Sequence, residues 1–195
     1  MKIFFDTEFT GLKKSSSLIS LGMVDENGRT FYAEFLSYKK EDLDDWIKDN
    51  VIANLKYKTC IDNWHNGDPL YTKDFVCVGY EYYIRPLLGR WLSIYDNVEL
   101  VSDVCHYDMV LFIDIFGTAF DLPKNVCPSC HDINQDIAYF LDVSEKEAFD
   151  YSREELISSL NRFKGTEDTQ MKVEKHNSLY DAKVIKELYK HLKMV

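Results

Sequence analysis

The chain has 195 residues, and its content of 46% hydrophobic and 29% charged residues is ordinary for a soluble globular protein. This length predicts one domain over residues 1–195, and the lack of any run of about 18 apolar residues argues against a membrane span. The formal net charge of −10 argues against a protein that holds long nucleic acid by charge alone, because such proteins are usually basic. Since the N-terminus carries no signal-peptide or transit-peptide pattern, we expect the protein in the cytoplasm.

The first predicted element is a buried strand over residues 2–9, in which the apolar run Ile3-Phe4-Phe5 leads into two carboxylates. Side chains two positions apart in a strand point to the same side, so Asp6 and Glu8 are expected to aim at one point. Two like charges that close repel each other unless a cation lies between them, and carboxylate oxygens suit Mg²⁺ or Mn²⁺. The alternative interpretation is an acidic strand end exposed to solvent.

Two further strands are predicted at residues 18–24 and 29–35, and Asn27-Gly28 between them is a strong hairpin signal. The chain therefore opens as a three-stranded antiparallel meander, with residues 10–17 as the loop after the first strand. The segments that follow are predicted as a helix over 41–52, a loop over 55–69 and a helix over 72–93 that Arg85-Pro86 kinks or restarts.

In the second half of the chain, a strand over 97–101 leads to a helix over 107–116 that ends at Gly117. The last helix, over 178–193, is strongly amphipathic. The elements between them are a short strand over 130–133, a helix over 134–141, a less ordered acidic segment over 142–151, a capping box over 152–155 and a polar loop over 165–170.

The five cysteines are expected to be reduced, because the chain shows no secretory signal. Cys127-Pro-Ser-Cys130 resembles half of a zinc site, but a structural site would need a second pair of ligands. Cys105 and His106 are the nearest candidates and belong to a different motif. We therefore interpret the cysteines as ordinary thiols.

Two more motifs accompany Asp6 and Glu8. At the start of the last helix, His176 stands five residues before Asp181, and in the middle of the chain Asp108 follows Tyr107. Asp-Thr-Glu-Phe, Tyr-Asp and His-x4-Asp-Ala, in this order, resemble the motifs of the DEDDh group of 3′–5′ exonucleases. The small exoribonucleases of the RNase AS type show the same Asp-Thr-Glu-Phe opening and Tyr-Asp motif. The resemblance extends over nearly the whole chain.

The resemblance implies an α/β protein with an RNase H-like mixed sheet, an antiparallel three-strand start followed by parallel strands, flanked by helices. It implies a metal-dependent 3′–5′ exoribonuclease that releases nucleoside monophosphates from single-stranded 3′ ends or overhangs. Two Mg²⁺ ions per site, or Mn²⁺ in their place, would be held by Asp6, Glu8, Asp108 and Asp181, with Asp6 between the ions and Asp108 acting through water. His176 would be the general base, because a pKa near 6.5 suits accepting a proton from metal-polarised water.

Two of these catalytic assignments have rivals. Asp103 precedes Asp108, and Asp114 follows it on the helix, but in the resembling family the third acid comes after an aromatic residue, which favours Asp108. For His176, the alternative is a surface histidine at a helix start.

Substrate contacts are expected from residues around the first and third acids. The resemblance assigns backbone N–H groups and a wedge at the 3′ end to the loop after the first strand. Phe9 would pack in the core if the strand continues, or stack on the terminal base if the chain turns there. The expected substrate-binding residues are Thr7, Phe9, Thr10, Gly11, Leu12 and His106.

Alternative functions remain open from the sequence. The preference for RNA rests on the resemblance alone, so a 3′–5′ exodeoxyribonuclease of the same fold is one alternative, and a catalytically silent nucleic-acid-binding module is another. A phosphatase-like aspartyl nucleophile at Asp6 fits poorly, because such sites usually have a second aspartate where Glu8 stands. The expected partners are single-stranded RNA or DNA 3′ ends and no membrane, and a homodimer is compatible with the resemblance.

Overall fold

The computed structural model describes residues 1–57, 75–164 and 175–193, apart from the side chains of residues 162–164. Six strands are found in these residues: β1 Lys2–Phe9, β2 Leu18–Asp25, β3 Thr30–Phe35, β4 Val76–Gly79, β5 Val98–Ser102 and β6 Val126–Asp132. They form one sheet in the order β4-β3-β2-β1-β5-β6. β1, β2 and β3 pair antiparallel, whereas β4, β5 and β6 each pair parallel with a neighbour. The predicted fold class is therefore confirmed.

Helices cover both faces of the sheet. The side chains of β1 alternate between the two faces, so each face has apolar residues that the helices bury. Ile3 and Phe5 join a core beneath α2 and α3, whereas Phe4 joins a second core with α4 to α7. The helices are α1 Asp45–Asn50, α2 Glu81–Leu92, α3 Cys105–Phe116, α4 Ile133–Leu141, α5 Glu145–Asp150, α6 Arg153–Lys164 and α7 Ser178–Lys193. None of the helices in the described residues has the length and apolar character that crossing a bilayer requires.

The predicted helix over 72–93 is wrong in its first part. Residues 76–79 form strand β4, which pairs parallel with β3 in the register Tyr32↔Val76 to Phe35↔Gly79. A short apolar run does not reveal whether it is strand or helix until a partner strand is known. α2 begins at Glu81 and runs without a restart through Pro86 to Leu92. Residues 72–74 lie outside the described residues.

Most of the acidic segment 142–151 is helical, because α5 covers residues 145–150, so the prediction of a less ordered stretch is wrong. α5 begins at a capping box in which the Glu147 N–H donates to Ser144 Oγ at 3.2 Å and the Ser144 N–H donates to the Glu147 carboxylate at 2.9 Å. Ala148 anchors the helix by packing fully buried in the second core. Capping and one small apolar contact outweigh the acidic composition of this segment.

The other predicted strands and helices are confirmed, most of them with shifted ends. Of the predicted capping box over 152–155, the bond from the Glu155 N–H to Ser152 Oγ is present at 3.4 Å. The helix expected over 41–52 is shorter, because α1 is flanked by 3₁₀ turns at Lys40–Asp42 and Ile52–Asn54. Strand β6 starts earlier than expected, and Ile133 already belongs to α4. The last helix has the predicted limits. The predicted loop over 55–69 beyond residue 57 and the predicted loop over 165–170 lie outside the described residues.

Candidate active site

The acidic end of β1 faces the first turns of α3 and α7 across a cavity of about 770 Å³. Asp6, Glu8 and Asp181 each place a carboxylate oxygen so that all three atoms lie within 4.8 Å of one another. Asp6 and Glu8 share one side of β1, as their spacing predicted. Asp181 comes from the first turn of α7, and all three residues are half-buried. The motifs at the two ends of the sequence therefore meet at one point.

Asp108 is buried beside these residues and is held by three hydrogen bonds. Its carboxylate accepts the Thr7 N–H at 3.2 Å and the Thr7 hydroxyl at 2.6 Å, and it also accepts the Ser102 hydroxyl. The parallel pairing of β1 with β5 ends at Phe4↔Val101, so the Thr7 N–H has no β5 partner and bonds Asp108 instead. The third acid is therefore positioned where the pairing between β1 and β5 has ended.

Asp103 and Asp114, the two alternatives to Asp108 as the third acid, are placed differently. The Asp103 carboxylate accepts the Arg153 guanidinium at 2.7 to 3.1 Å, and its backbone carbonyl accepts the Asn134 amide at 2.5 Å. Asp114 is exposed on α3. Asp103 lines the cavity, but its charge is already paired with a cation.

Mutual repulsion and burial disfavour ionisation of all four carboxyl groups. Burial, followed by the charges of Asp181 and Asp108, raises the pKa of Glu8 to about 8. Burial, together with the charge of Glu154, raises the pKa of Asp181 to about 7. Burial raises the pKa of Asp6 well above its ordinary value, with Asp108 adding repulsion. Burial also raises the pKa of Asp108 to about 6, although the bonds from Ser102 and Thr7 oppose that shift.

The cations near the cavity do not form ion pairs with these four carboxyl groups, and the charge of Lys175 opposes the rise in the pKa of Asp181 only as a minor effect. Arg153 pairs with Asp103, and Lys175 pairs with Glu154 at 3.2 Å. In the described parts of the chain, no lysine or arginine forms an ion pair with Asp6, Glu8, Asp108 or Asp181. Clustered carboxylates without a protein cation fit a hard divalent metal ion, which takes oxygen ligands and offsets their charge.

His176 lies on the rim of the cavity, one residue before the N-cap of α7. Its backbone is left-handed, with φ of 60°, and its N–H group opposes the rise in the pKa of Asp181. The imidazole meets the Trp46 ring edge-on, with the ring centroids 5.0 Å apart. Burial, helped by the charge of Lys175, lowers the pKa of His176, so the ring is neutral near pH 7 and able to accept a proton.

The backbone around His176 is tied to the turn after α1. The Asn54 amide donates to the Lys175 carbonyl at 2.9 Å, and the Asn54 carbonyl accepts the Asn177 amide at 3.1 Å. Asn177 also caps α7 by accepting the Tyr180 N–H at 3.3 Å. These bonds fix the residues on both sides of His176. No sequence pattern indicated the role of Asn54, because the contact joins segments more than 120 residues apart.

A close approach of α7 to the sheet brings Asp181 to Asp6. Gly22 on β2 pairs with Asp6, and a Cβ atom added to it would lie 2.2 Å from the backbone of Ser178 and Leu179. The Ser20 and Ser178 hydroxyls bond each other at 2.9 Å in the same buried contact. Only a residue without a side chain lets the start of α7 touch the sheet here.

The aromatic residues Phe9 and Tyr107 form a stacked pair at the cavity. The pairing of β1 with β2 has an irregularity between Glu8 and Phe9, which is where a strand can redirect a side chain. Phe9 is half-buried against the core, and its ring lies 5.8 Å from that of Tyr107 at an interplanar angle of 21°. The ring packs on the core, as the first interpretation of Phe9 requires, and it also borders the cavity. Stacking on the terminal base stays a prediction.

The other predicted substrate residues divide into two groups. Thr7, Gly11 and Leu12 line the cavity, and the Leu12 side chain is 74% exposed. Thr10 is buried and accepts the Ser17 N–H, which closes the loop behind the cavity. His106 is exposed, with its ring beside Cys105 instead of on the cavity wall. Substrate contacts by these residues stay predictions.

Known proteins resemble this chain in sequence and in fold. A 3′-5′ exoribonuclease of Mycobacterium tuberculosis, represented by two strains, is 29% identical over 128 residues, which cover 65% of this chain and 67% of the relative. No protein-family model matches the chain.

Among solved structures, the nuclease domain of a DEDDh family member bound to rAMP matches with a TM-score of 0.58 at 13% identity, covering 99% of this chain and 90% of that one. The fold is that of the DEDDh exonucleases. A full-length 3′-exonuclease superposes with a TM-score of 0.61 at 13% identity, covering 99% of this chain and 80% of that one. A 3′-exonuclease that recognises the 3′ end of a histone mRNA stem-loop gives 0.61 at 14% identity, with 99% and 62% covered. The resemblance stated from the sequence motifs is confirmed.

Proposed function

We propose that this chain is a metal-dependent 3′–5′ exoribonuclease that releases nucleoside monophosphates from single-stranded 3′ ends or overhangs. The observation that carries the proposal is the meeting of Asp6, Glu8 and Asp181 within 4.8 Å, with Asp108 bonded to the same strand. Similarity to a mycobacterial 3′-5′ exoribonuclease supports the reaction, and fold neighbours with rAMP or an RNA 3′ end support the substrate class.

The four carboxylates would hold two Mg²⁺ ions, or Mn²⁺ in their place. Bound there, such ions supply an activated water and neutralise charge on the leaving 3′ oxygen. Asp6, Glu8 and Asp181 would provide oxygen ligands from two different elements, and the bonds from Thr7 and Ser102 fix the orientation of the Asp108 carboxylate. The acidic residues thus become ligands when cations replace their protons.

His176 would accept the proton of the attacking water at an imidazole nitrogen. Its lowered pKa leaves the ring neutral near pH 7, and the ties on either side of it limit how far it can move. The stacked Phe9 and Tyr107 rings offer a flat apolar surface for the terminal base, and the exposed Leu12 also lines the cavity.

Hydrolysis of four matched substrates, each labelled at the 5′ end, tests this function: single-stranded RNA and DNA, and duplexes of each with a 3′ overhang. We expect a ladder that shortens from the 3′ end with Mg²⁺ or Mn²⁺, faster on RNA, and absent with EDTA. A ladder on DNA alone would establish the exodeoxyribonuclease alternative. Retention of labelled RNA without cleavage in every metal condition would establish the binding module instead. The cytoplasmic location and the homodimer stay predictions.

A further inference from the structure

A second group of metal-ligating side chains lies outside the cavity, at the start of α3. Cys105, His106 and Asp132 place one ligand atom each so that all three lie within 4.8 Å of one another. The Cys105 sulfur is 3.9 Å from His106 Nδ1. Two ligands of one tetrahedral zinc ion, at about 2.3 Å for sulfur and about 2.0 Å for nitrogen, lie only slightly closer together than this.

The three side chains come from two neighbouring elements. Cys105 and His106 are the first residues of α3, and Asp132 is the last residue of β6 and the N-cap of α4. β5, which leads to α3, pairs parallel with β6 at Ser102↔Asp132. The sheet register therefore brings Asp132 close to two residues that precede it by 26 and 27 positions in the sequence.

The carboxylate in this group is already oriented. Asp132 Oδ1 accepts the Asn134 N–H and the Asn134 side-chain amide, both at 2.9 Å. These bonds hold a carboxylate oxygen within 4.8 Å of the Cys105 and His106 ligand atoms. A metal ion bound there would displace the Cys105 thiol proton, because the deprotonated sulfur is the ligand.

The donor set differs from that of the carboxylate cavity. Sulfur and imidazole donors favour Zn²⁺ and related transition metals over Mg²⁺, which prefers oxygen ligands alone. Neither Cys105, His106 nor Asp132 lines the cavity. His106 is exposed, so an ion can enter from solvent without crossing the cavity.

We propose that Cys105, His106 and Asp132 bind one Zn²⁺ ion, or a similar borderline transition metal ion, separately from the ions of the carboxylate cavity. The ion would join the first turn of α3 to the end of β6. Because Asp108 lies on that same turn, the bound metal would stabilise the element that carries the third acid. The inference does not rest on the proposed nuclease function, since it depends on a different set of residues.

Titration with Co²⁺ tests the site, because cobalt bound to thiolate gives a ligand-to-metal charge-transfer band that carboxylate sites lack. The full chain is reduced with a phosphine, which is not a thiol ligand, and excess Mg²⁺ occupies the cavity. We expect the band to saturate at one equivalent of Co²⁺ and to be removed by one equivalent of Zn²⁺. Absence of the band in the folded wild-type protein would overturn the proposal.

Variants locate the ligands. Cys105→Ser should abolish the band, and His106→Ala and Asp132→Asn should each weaken Co²⁺ binding at least tenfold. Asparagine preserves the cap of α4, so a loss in Asp132→Asn reports the missing carboxylate ligand. Cys127→Ser is the matched control, because the Cys127 thiol bonds Ser129 outside the cluster, and the variant should keep the full band.

Two outcomes of the variant series would contradict the assignment. The first is an unchanged band in Cys105→Ser, and the second is a band lost in Cys127→Ser. Circular dichroism on every variant separates ligand loss from unfolding. If Cys105→Ser unfolds, His106→Ala still decides the question, because the exposed His106 ring contributes little to the core.

Discussion

Asp108 shows how one hydrogen-bond donor controls a buried acid. The Thr7 hydroxyl donates to its carboxylate at 2.6 Å, and the Thr7 N–H donates to the same oxygen. Removal of the hydroxyl leaves a buried carboxylate with one donor fewer, which costs about 1–3 kcal/mol when the group is charged. The side chain of this strand residue therefore acts on the site through Asp108.

We expect Thr7→Val to reduce kcat about tenfold and to weaken binding of divalent metal ions, because valine keeps the shape of threonine without the donor. Steady-state kinetics on single-stranded RNA over a range of Mg²⁺ concentrations measure both effects. Thr30→Val on β3, which makes the same change far from the cavity, is the control. Equal activity of Thr7→Val and Thr30→Val would show that this bond does not position Asp108.

The proposed role of His176 is to accept a proton from the attacking water. We expect His176→Ala to lower kcat by about 10²- to 10⁴-fold while leaving divalent-ion affinity nearly unchanged. The lowered pKa of His176 means that the wild-type rate at saturating Mg²⁺ should fall only when the pH drops below about 6.5. Loss of that acidic limb in the variant is the second readout. A pH profile that keeps the limb would assign it to another group.

Among the elements, the contact between β2 and α7 decides whether the site assembles. Gly22 permits an approach that any side chain would block, since its added Cβ would lie 2.2 Å from backbone atoms. The start of α7 carries Asp181, and Asp6 pairs with Gly22 on the neighbouring strand. A shift of the helix therefore moves one acid away from the other two.

We expect Gly22→Ala to destabilise the fold by several kcal/mol and to lower activity even where the variant remains folded. Chemical denaturation measures the first effect, and the nuclease assay at low temperature measures the second. Gly89→Ala in α2 is the matched control, because nothing lies within 4 Å of its added Cβ. That control should be neutral or stabilising by up to about 1 kcal/mol, since alanine favours a helix interior. Full activity and stability of Gly22→Ala would refute the close contact.

The elements that the sequence revealed are those with a strong local pattern. The opening meander, the Asn27-Gly28 turn and the amphipathic α7 were predictable from periodicity and turn residues alone. β4 was missed because a run of Val76, Cys77 and Val78 becomes a strand only through its pairing with β3.

The candidate site divides in the same way. Asp6 and Glu8 were predictable from their spacing, whereas Asp108, His176 and Asp181 also required a resemblance to known motifs. The sequence analysis did not predict the role of Gly22, the hydrogen bonds of Asn54 or the meeting of Asp132 with Cys105 and His106. Each of them depends on contacts between segments that are distant in the chain, and such contacts leave no periodic signal.

For the whole molecule, four carboxyl groups with raised pKa values predict how stability depends on pH. A raised carboxyl pKa means that the folded chain binds more protons than the unfolded chain, between the ordinary value and the raised one. The free energy of unfolding of the metal-free protein should therefore fall as the pH rises from about 4 to about 8. Divalent ions compete with those protons, so they should restore stability most at the alkaline end.

Thermal unfolding at pH 5 and pH 8, with EDTA or with Mg²⁺, measures this linkage. We expect Mg²⁺ to raise the melting temperature by several degrees at pH 8, which corresponds to about 1–3 kcal/mol for a chain of this size, and by much less at pH 5. Asp6→Asn should be more stable than the wild type in EDTA at pH 8, because it removes one repelling charge. A Mg²⁺ effect that is equal at both pH values would contradict the linkage.

The most direct test of the central claim, that the meeting carboxylates form the hydrolytic site, is one comparison of three proteins on single-stranded RNA labelled at the 5′ end. Wild type and Asp114→Asn, which alters an exposed acid on the helix that carries Asp108, should both give the Mg²⁺-dependent ladder from the 3′ end. Asp6→Asn should slow nucleotide release on the order of 10³-fold, since metal-ion stabilisation is worth several kcal/mol and each 1.36 kcal/mol is a factor of ten. Release by Asp6→Asn at the wild-type rate would contradict the account.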